Sequence, residues 1–240
     1  MAERKIRILK NGPYIVSGSV PINEKIITPQ GKSEVVFTEG RVLPQASTYS
    51  LCRCGKSRNA PFCDGTHTAI NFDGTETASR KPYLERSHCI NGENINVRDD
   101  DRCAFARFCH SDRGQVGRLI RNPQGREDDA AALRCVQECP AGRLTAYDKE
   151  GNELEPELDQ TISILQDPSE DVCGPIYVQG RIPIESADGE VYEVRNRVTL
   201  CRCGASDNKP FCDARHVQAR FTAIEPDAEC PAEPGNKTAD

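Results

Sequence analysis

Leu51-Cys52-Arg53-Cys54-Gly55-Lys56-Ser57-Arg58-Asn59-Ala60-Pro61-Phe62-Cys63-Asp64-Gly65-Thr66-His67 returns nearly unchanged as Leu200 to His216. Both copies read Cys-x-Cys-x2-Ser-x3-Pro-x-Cys-Asp-x2-His. Three thiols and one imidazole within sixteen residues, twice over, are a metal site before anything else. In an extended segment residues i and i+2 point to one face, so Cys52 and Cys54 can share one metal. A helix starting at Pro61–Asp64, with Asp64 as its N-cap, puts Cys63 and His67 at i and i+4 on one face, where they can share a second. A lone structural zinc more often uses gaps of two to four residues within each ligand pair, and Cys-x-Cys is tighter.

The pattern resembles the CDGSH iron–sulfur family. The first copy carries Cys63-Asp64-Gly65-Thr66-His67; the second, Cys212-Asp213-Ala214-Arg215-His216, has lost both the Gly and the Ser of the family name. The resemblance implies a [2Fe-2S] cluster per copy, held by Cys52, Cys54, Cys63 and His67, and again by Cys201, Cys203, Cys212 and His216. It also implies pairing of the β segments about a two-fold axis, here as an internal pseudo-dimer of the monomer or as a homodimer.

The repeat is longer than the cluster motif. Gly12-Pro13-Tyr14-Ile15-Val16-Ser17-Gly18-Ser19-Val20-Pro21-Ile22 aligns with Gly174-Pro175-Ile176-Tyr177-Val178-Gln179-Gly180-Arg181-Ile182-Pro183-Ile184. From the Gly-Pro to the first Cys the first copy takes 40 residues and the second 27, the excess falling around 23–45. Strands are expected at Ile6–Lys10, Tyr14–Ser17 and Ser33–Phe37, with turns at Asn11-Gly12-Pro13 and Pro29-Gln30-Gly31.

Residues 81–165 differ in kind. A short strand at Ile95–Val97 precedes Cys103-Ala104-Phe105-Ala106-Arg107-Phe108-Cys109-His110. A helix is expected over Asp128–Glu138, acidic in its first turn and stopped at Cys139-Pro140, and a strand over Arg143–Tyr147. Strand, cysteine loop, helix, Cys-Pro and strand resemble half of a bacterial ferredoxin, and the segment resembles the divergent mono-cluster ferredoxin domain that accompanies some CDGSH domains. Cys103 and Cys109 take the first and third places of the ferredoxin run, Ala106 the middle, and Cys139-Pro140 the remote Cys-Pro. Three cysteines suit [3Fe-4S]; a [4Fe-4S] centre needs a fourth ligand, for which Cys135, His110 and Cys89 are candidates.

The expected fold class is therefore mainly β with a small α+β insert. It comprises a [2Fe-2S] repeat over 1–80, a ferredoxin-like domain over 81–160, a second repeat over 161–227 and a disordered tail over 228–240, with an acidic connector at 148–170. No Trp and 37% hydrophobic residues argue for small cores held partly by metal. The net charge of −6, with acids and bases mixed, gives no basic field for nucleic acid. No apolar run suits a membrane span and the charged N-terminus is no secretory signal. Thirteen cysteines, an odd count gathered in ligand clusters, fit a reducing cytoplasm better than disulfides.

Among the remaining residues, Ser57 and Ser206 are expected to hold the loops by hydrogen bonds to backbone or cluster sulfur. Arg53 and Arg202 read as solvated, and Cys89, Cys173 and Cys230 as ordinary thiols. Replacing one thiolate by neutral imidazole raises a cluster's potential and lets low pH loosen it. Arg215, beside His216, is expected to raise the second centre's potential and depress the His216 pKa. No nucleotide loop or nucleophile–base set stands out, so the chain reads as an electron carrier rather than an enzyme. Its partners would be redox proteins, or apo-acceptors if it donates clusters or senses redox state and pH. The third reading is a metal-stapled binding module.

Overall fold

The computed structural model describes residues 3–223; the expected tail and Cys230 lie outside the described residues. The first repeat runs β1 (Lys5–Ile8), β2 (Tyr14–Ser17), β3 (Ile22–Gln30), β4 (Glu34–Glu39), β5 (Thr48–Leu51) and the one-turn helix α1 (Thr66–Ala69). The insert follows as α2 (Tyr83–Arg86), β6 (His88–Asn91), β7 (Asn96–Asp99), β8 (His110–Ser111), β9 (Gly114–Gln115), α3 (Val116–Arg121), α4 (Arg126–Glu138) and β10 (Leu144–Tyr147). The second repeat is β11 (Thr161–Asp167), β12 (Val172–Gln179), β13 (Ile184–Glu185), β14 (Arg197–Leu200) and α5 (Arg215–Gln218). The chain is mainly β with a small α+β insert, as the sequence implies.

The repeats are built into each other. One sheet has the order β13-β1-β2-β5 and the other β14-β12-β11-β3-β4, so each contains strands of both repeats. β3 pairs parallel with β11, Ile22 opposite Ile162, and β13 pairs parallel with β1, Ile184 opposite Ile6. The hydrogen bonds are reciprocal: Ile6 N–H donates to the Pro183 carbonyl and Ile162 N–H to the Pro21 carbonyl, both at 2.9 Å. In each repeat the residue after the second proline crosses to the other repeat's first strand. The exchange occupies strand edges that one repeat alone would leave open.

Alternation explains the packing. In Ile6-Arg7-Ile8 the isoleucines are buried and the arginine is exposed, placing one face of β1 on the core. Ile162 and Ile164 do the same in β11, and with Ile176, Val178 and Leu200 they join Ile6, Val16 and Leu51 in one core shared by both repeats. The low apolar content thus yields a common core for the repeats rather than one apiece.

The extra length of the first copy falls in the β3–β4 hairpin, where the sequence suggested a turn at Pro29–Gly31 and a strand only after it. β3 runs through Pro29, which an edge-facing position tolerates. The hairpin is the cradle of the insert. Phe37 lies 4.4 Å, ring centre to ring centre, from Phe108, and Ile27, Val35, Ala106, Leu165 and Tyr177 close the contact. At the tip, Asp112 Oδ1 accepts from the Lys32 and Ser33 amides at 3.0 and 2.9 Å. β11 is consequently buried on both faces.

The insert forms a three-stranded antiparallel sheet, β10-β7-β6, against α3 and α4, with Val97, Leu119, Ile120, Ala132, Val136 and Ala146 at its centre. α4 begins two residues before the expected start and ends where expected, before Cys139-Pro140. α3 has no sequence signal strong enough to predict; its apolar residues are only Val116, Leu119 and Ile120.

Candidate metal centres

In each repeat a strand end delivers the first ligand pair. β5 ends at Leu51 and β14 at Leu200, so Cys52 and Cys201 begin the loops. Cys52 and Cys54 Sγ stand 3.7 Å apart, and Cys201 and Cys203 Sγ 3.6 Å. Two thiolates on one tetrahedral metal, each about 2.3 Å from it, stand about 3.8 Å apart. The second pair comes from the loop before each short helix: Cys63 Sγ lies 3.4 Å from His67 Nδ1, and Cys212 Sγ 3.5 Å from His216 Nδ1. The same tetrahedral geometry with a nitrogen at about 2.1 Å gives about 3.6 Å. The donor spacings fit two metals per site, each held by one pair, with the histidine Nδ1 facing the cysteine sulfur.

The helix that presents the histidine begins later than the sequence suggests. It starts at Thr66 and Arg215, so Cys63 and Cys212 lie in the preceding loops. Gly65 (φ 88°) and Ala214 (φ 68°) hold the N-cap positions in the left-handed region. Asp64 therefore acts one residue before the cap. Its Oδ1 accepts from the Thr66 amide at 3.0 Å and its Oδ2 from the Arg58 amide at 2.9 Å. Asp213 does the same with Arg215 and Asp207.

Ser57 Oγ donates to the Phe62 carbonyl at 2.6 Å and Ser206 Oγ to Phe211 at 2.8 Å, so both serines hold loops through backbone rather than sulfur. The sulfurs of Cys52 and Cys201 instead receive backbone amides, from Ser57 and Gly55 and from Ser206 and Gly204. Hydrogen bonds from Cys54 and Cys203 push the Cys52 and Cys201 thiols below their ordinary value, while Cys54 and Cys203 are pushed above it. Each Cys-x-Cys pair thus favours one ready thiolate.

Arg53 and Arg202 are not solvated. They are 3% and 2% exposed and turn back beneath their own repeats. Arg53 donates to the carbonyls of Leu9 and Gly12, both at 3.1 Å; Arg202 donates to the equivalent Leu165 and Gly174 at 3.0 and 2.7 Å. A turn of the Gly-Pro type leaves inward carbonyls, and a guanidinium is the side chain long enough to satisfy several at once. The signal was present in the sequence as an arginine repeated in register with that turn.

The two copies differ in burial. His216 is 4% exposed, whereas His67 and Cys63 are only half-buried. Burial lowers the His216 pKa to about 4, with the Arg202 guanidinium adding to the effect. The cation acting on His216 is therefore Arg202 and not Arg215, whose guanidinium turns outward to pair with Asp207 and Asp213.

Cys103, Cys109 and Cys139 meet in the insert. All three line one cavity of about 420 Å³, together with Ala104, Ala106, His110 and Arg143. Phe105 (φ 56°) and Arg107 (φ 65°) take left-handed backbone, curling the loop around the cavity. The Phe105 amide donates to Cys103 Sγ at 3.3 Å. Arg143 holds Asp99 at 2.6 Å and lines the cavity beside the three cysteines, bringing a cation to its wall. Of the candidate fourth ligands, only His110 lines the cavity, its Nδ1 3.3 Å from Cys109 Sγ. Cys135 is packed in the insert core with Leu119 and Val136, because its helical face points to α3. Cys89 is exposed, donating to Asn91 Oδ1 at 3.2 Å, and Cys173 accepts from the Ala223 amide at 3.3 Å.

The fold and sites define a β protein with a duplicated three-cysteine, one-histidine metal centre. Its two repeats are CDGSH-type domains: residues 11–68 and 173–217 both match the family described as iron-binding zinc finger, CDGSH type. Such domains bind iron–sulfur clusters of the [2Fe-2S] type, and the paired donors described above suit one. Neither the curated proteins nor the solved structures gave a match to the chain. Among the described residues no helix is long and apolar enough to cross a membrane.

Proposed function

We propose that this chain is an electron-transfer protein with three iron–sulfur sites and no active site of its own. Two [2Fe-2S] centres would be held by Cys52, Cys54, Cys63 and His67, and by Cys201, Cys203, Cys212 and His216. A [3Fe-4S] or [4Fe-4S] centre would be held by Cys103, Cys109 and Cys139, with His110 as the available neighbour. The observation that carries this reading is the convergence of three thiols on one cavity beside two paired-donor sites. Bound clusters supply one-electron chemistry; the protein supplies potential and docking. The imidazole ligands make their clusters less negative than all-thiolate ones and so raise the potentials. Arg143 favours added negative charge in the insert cavity.

Iron and acid-labile sulfide per chain on anaerobically prepared protein, with EPR of both redox states, tests the proposal. About seven to eight irons with a cubane-type signal support it, and about four irons restrict it to the repeats. Zinc without sulfide ends it.

A second reading, cluster donation, has one observation in its favour: Cys63 and His67 of the first copy are only half-buried. Apo-ferredoxin acquiring a cluster from the protein, from the first copy before the second, would select it.

A further inference from the structure

The three sites are not scattered over the fold; they touch in a fixed order. The two Cys-x-Cys loops pack backbone against backbone. A Cβ at Gly55 would stand 2.4 Å from the Cys203 carbonyl oxygen, and one at Gly204 would stand 2.7 Å from that of Cys54. On its other side the second site meets the insert. Cys212 is buried in one group with Ala104 and Ala141 of the insert, and the half-buried Cys139 packs against it.

Two further contacts fix that junction. Arg197 of β14 donates to the Cys139 carbonyl at 2.6 Å and the Val136 carbonyl at 2.7 Å. Arg107, from the cysteine loop, binds Asp167 of β11 at 2.6 and 2.9 Å. The first repeat also meets the insert, but through the β3–β4 hairpin, with Phe37 against Phe108 and the Lys32 and Ser33 amides on Asp112, rather than through its Cys-x-Cys loop. The ends of the series face outward: Cys63 and His67 are half-buried, and the exposed Phe105 lies over the insert cavity. The middle site is the more enclosed, with Cys201, Cys212 and His216 buried and Cys203 half-buried.

We propose that the second CDGSH site is the internal junction of a linear relay, with the insert cavity on one side of it and the first CDGSH site on the other. This rests on the reading that all three sites hold clusters. One electron accepted at one end from a one-electron redox protein leaves at the other end to a second such protein. The junction site is reduced and then reoxidised by one electron, and no bond or proton changes hands. Loss of the insert cluster then isolates the junction from one partner without emptying either CDGSH site.

Spin–spin interaction reads the order directly. In the fully reduced holoprotein all three centres are paramagnetic, and His67→Cys or His216→Cys marks one CDGSH centre by its altered g-values. Broadening and fast relaxation from the insert centre are expected on the signal marked by His216→Cys and not on that marked by His67→Cys. Cys109→Ser, which removes an insert ligand, is expected to abolish the broadening. Should one histidine variant fail to load, the other still decides, by the presence or absence of broadening on its own marked signal. Equal relaxation of both, or broadening confined to the first copy, overturns the order. Iron analysis on the same samples separates the two failures. About four irons per chain means that the insert holds no cluster, while about seven to eight with the wrong broadening means that the relay order is wrong.

Discussion

The Arg197 guanidinium donates to the Cys139 carbonyl at 2.6 Å and lies wholly buried while doing so. It also donates to the Val136 carbonyl in the last turn of α4, which accepts the Cys139 amide as well, and forms an ion pair with Glu155 from the connector. One side chain of the second repeat thus closes the helix that ends at Cys139.

Arg197→Met is expected to destabilise the protein by about 3–5 kcal/mol, because Glu155 is left buried and uncompensated. The double variant with Glu155→Met should recover part of that loss. Urea unfolding measures both. Iron analysis should show loss from the insert before the CDGSH sites. Equal losses at all sites would mean that Arg197 is not specific to the junction.

Gly55→Ala and Gly204→Ala both place a methyl group against a backbone carbonyl at positive φ, +71° and +80°. Each should cost at least about 2 kcal/mol, and both should weaken both [2Fe-2S] sites because the loops share the contact. Visible absorbance per chain after reconstitution reports it. Independent loss, one site per substitution, would contradict the shared contact.

Ala214 holds a left-handed cap where the first copy has Gly65. Ala214→Gly should stabilise the second site by about 1 kcal/mol by removing the Cβ clash. A higher melting temperature for the holoprotein, with unchanged EPR, is the expected result.

Acid should act on the two CDGSH sites unequally. The folded pKa of His216, depressed by burial to about 4, lies below the unfolded value of about 6.5. Its contribution to stability is therefore complete above about pH 6.5 and is lost as the pH falls through about 4. Cys63 and His67 are half-buried where Cys212 and His216 are buried, so acid reaches the first site's ligands more readily and that site should lose its colour first. Stopped-flow absorbance between pH 7 and 4 should give two phases, and His67→Cys should alter the earlier one. If His216→Cys alters the earlier one instead, burial does not govern cluster retention.

Much of this was readable in the chain. Four ligand-type residues repeated in register located both CDGSH sites, and the shared Gly-Pro and Val-Pro-Ile/Ile-Pro-Ile segments marked the repeat. Cys103, Cys109 and Cys139 were found from ferredoxin spacing, and one cavity unites them. What stayed hidden depends on contacts distant in sequence. Arg53, Arg202 and Arg197 look like surface cations until the carbonyls that they satisfy are known. Cys135, at i−4 from Cys139, looked like a ligand because spacing gives a helical face but not what that face meets. The β3–β4 hairpin was obscured by Pro29 and by polar residues whose partners lie in the insert.

The reciprocal strand exchange also sets a timetable for synthesis. β1 leaves the ribosome well before its parallel neighbour, β13, which begins at Ile184. In that interval the first repeat has its cysteines in hand and its sheet incomplete. Pairings this distant in sequence form slowly. Durable metal loading of the first motif therefore belongs to the period after the second motif has emerged, and a truncated nascent product would carry the ligands without the frame that holds them.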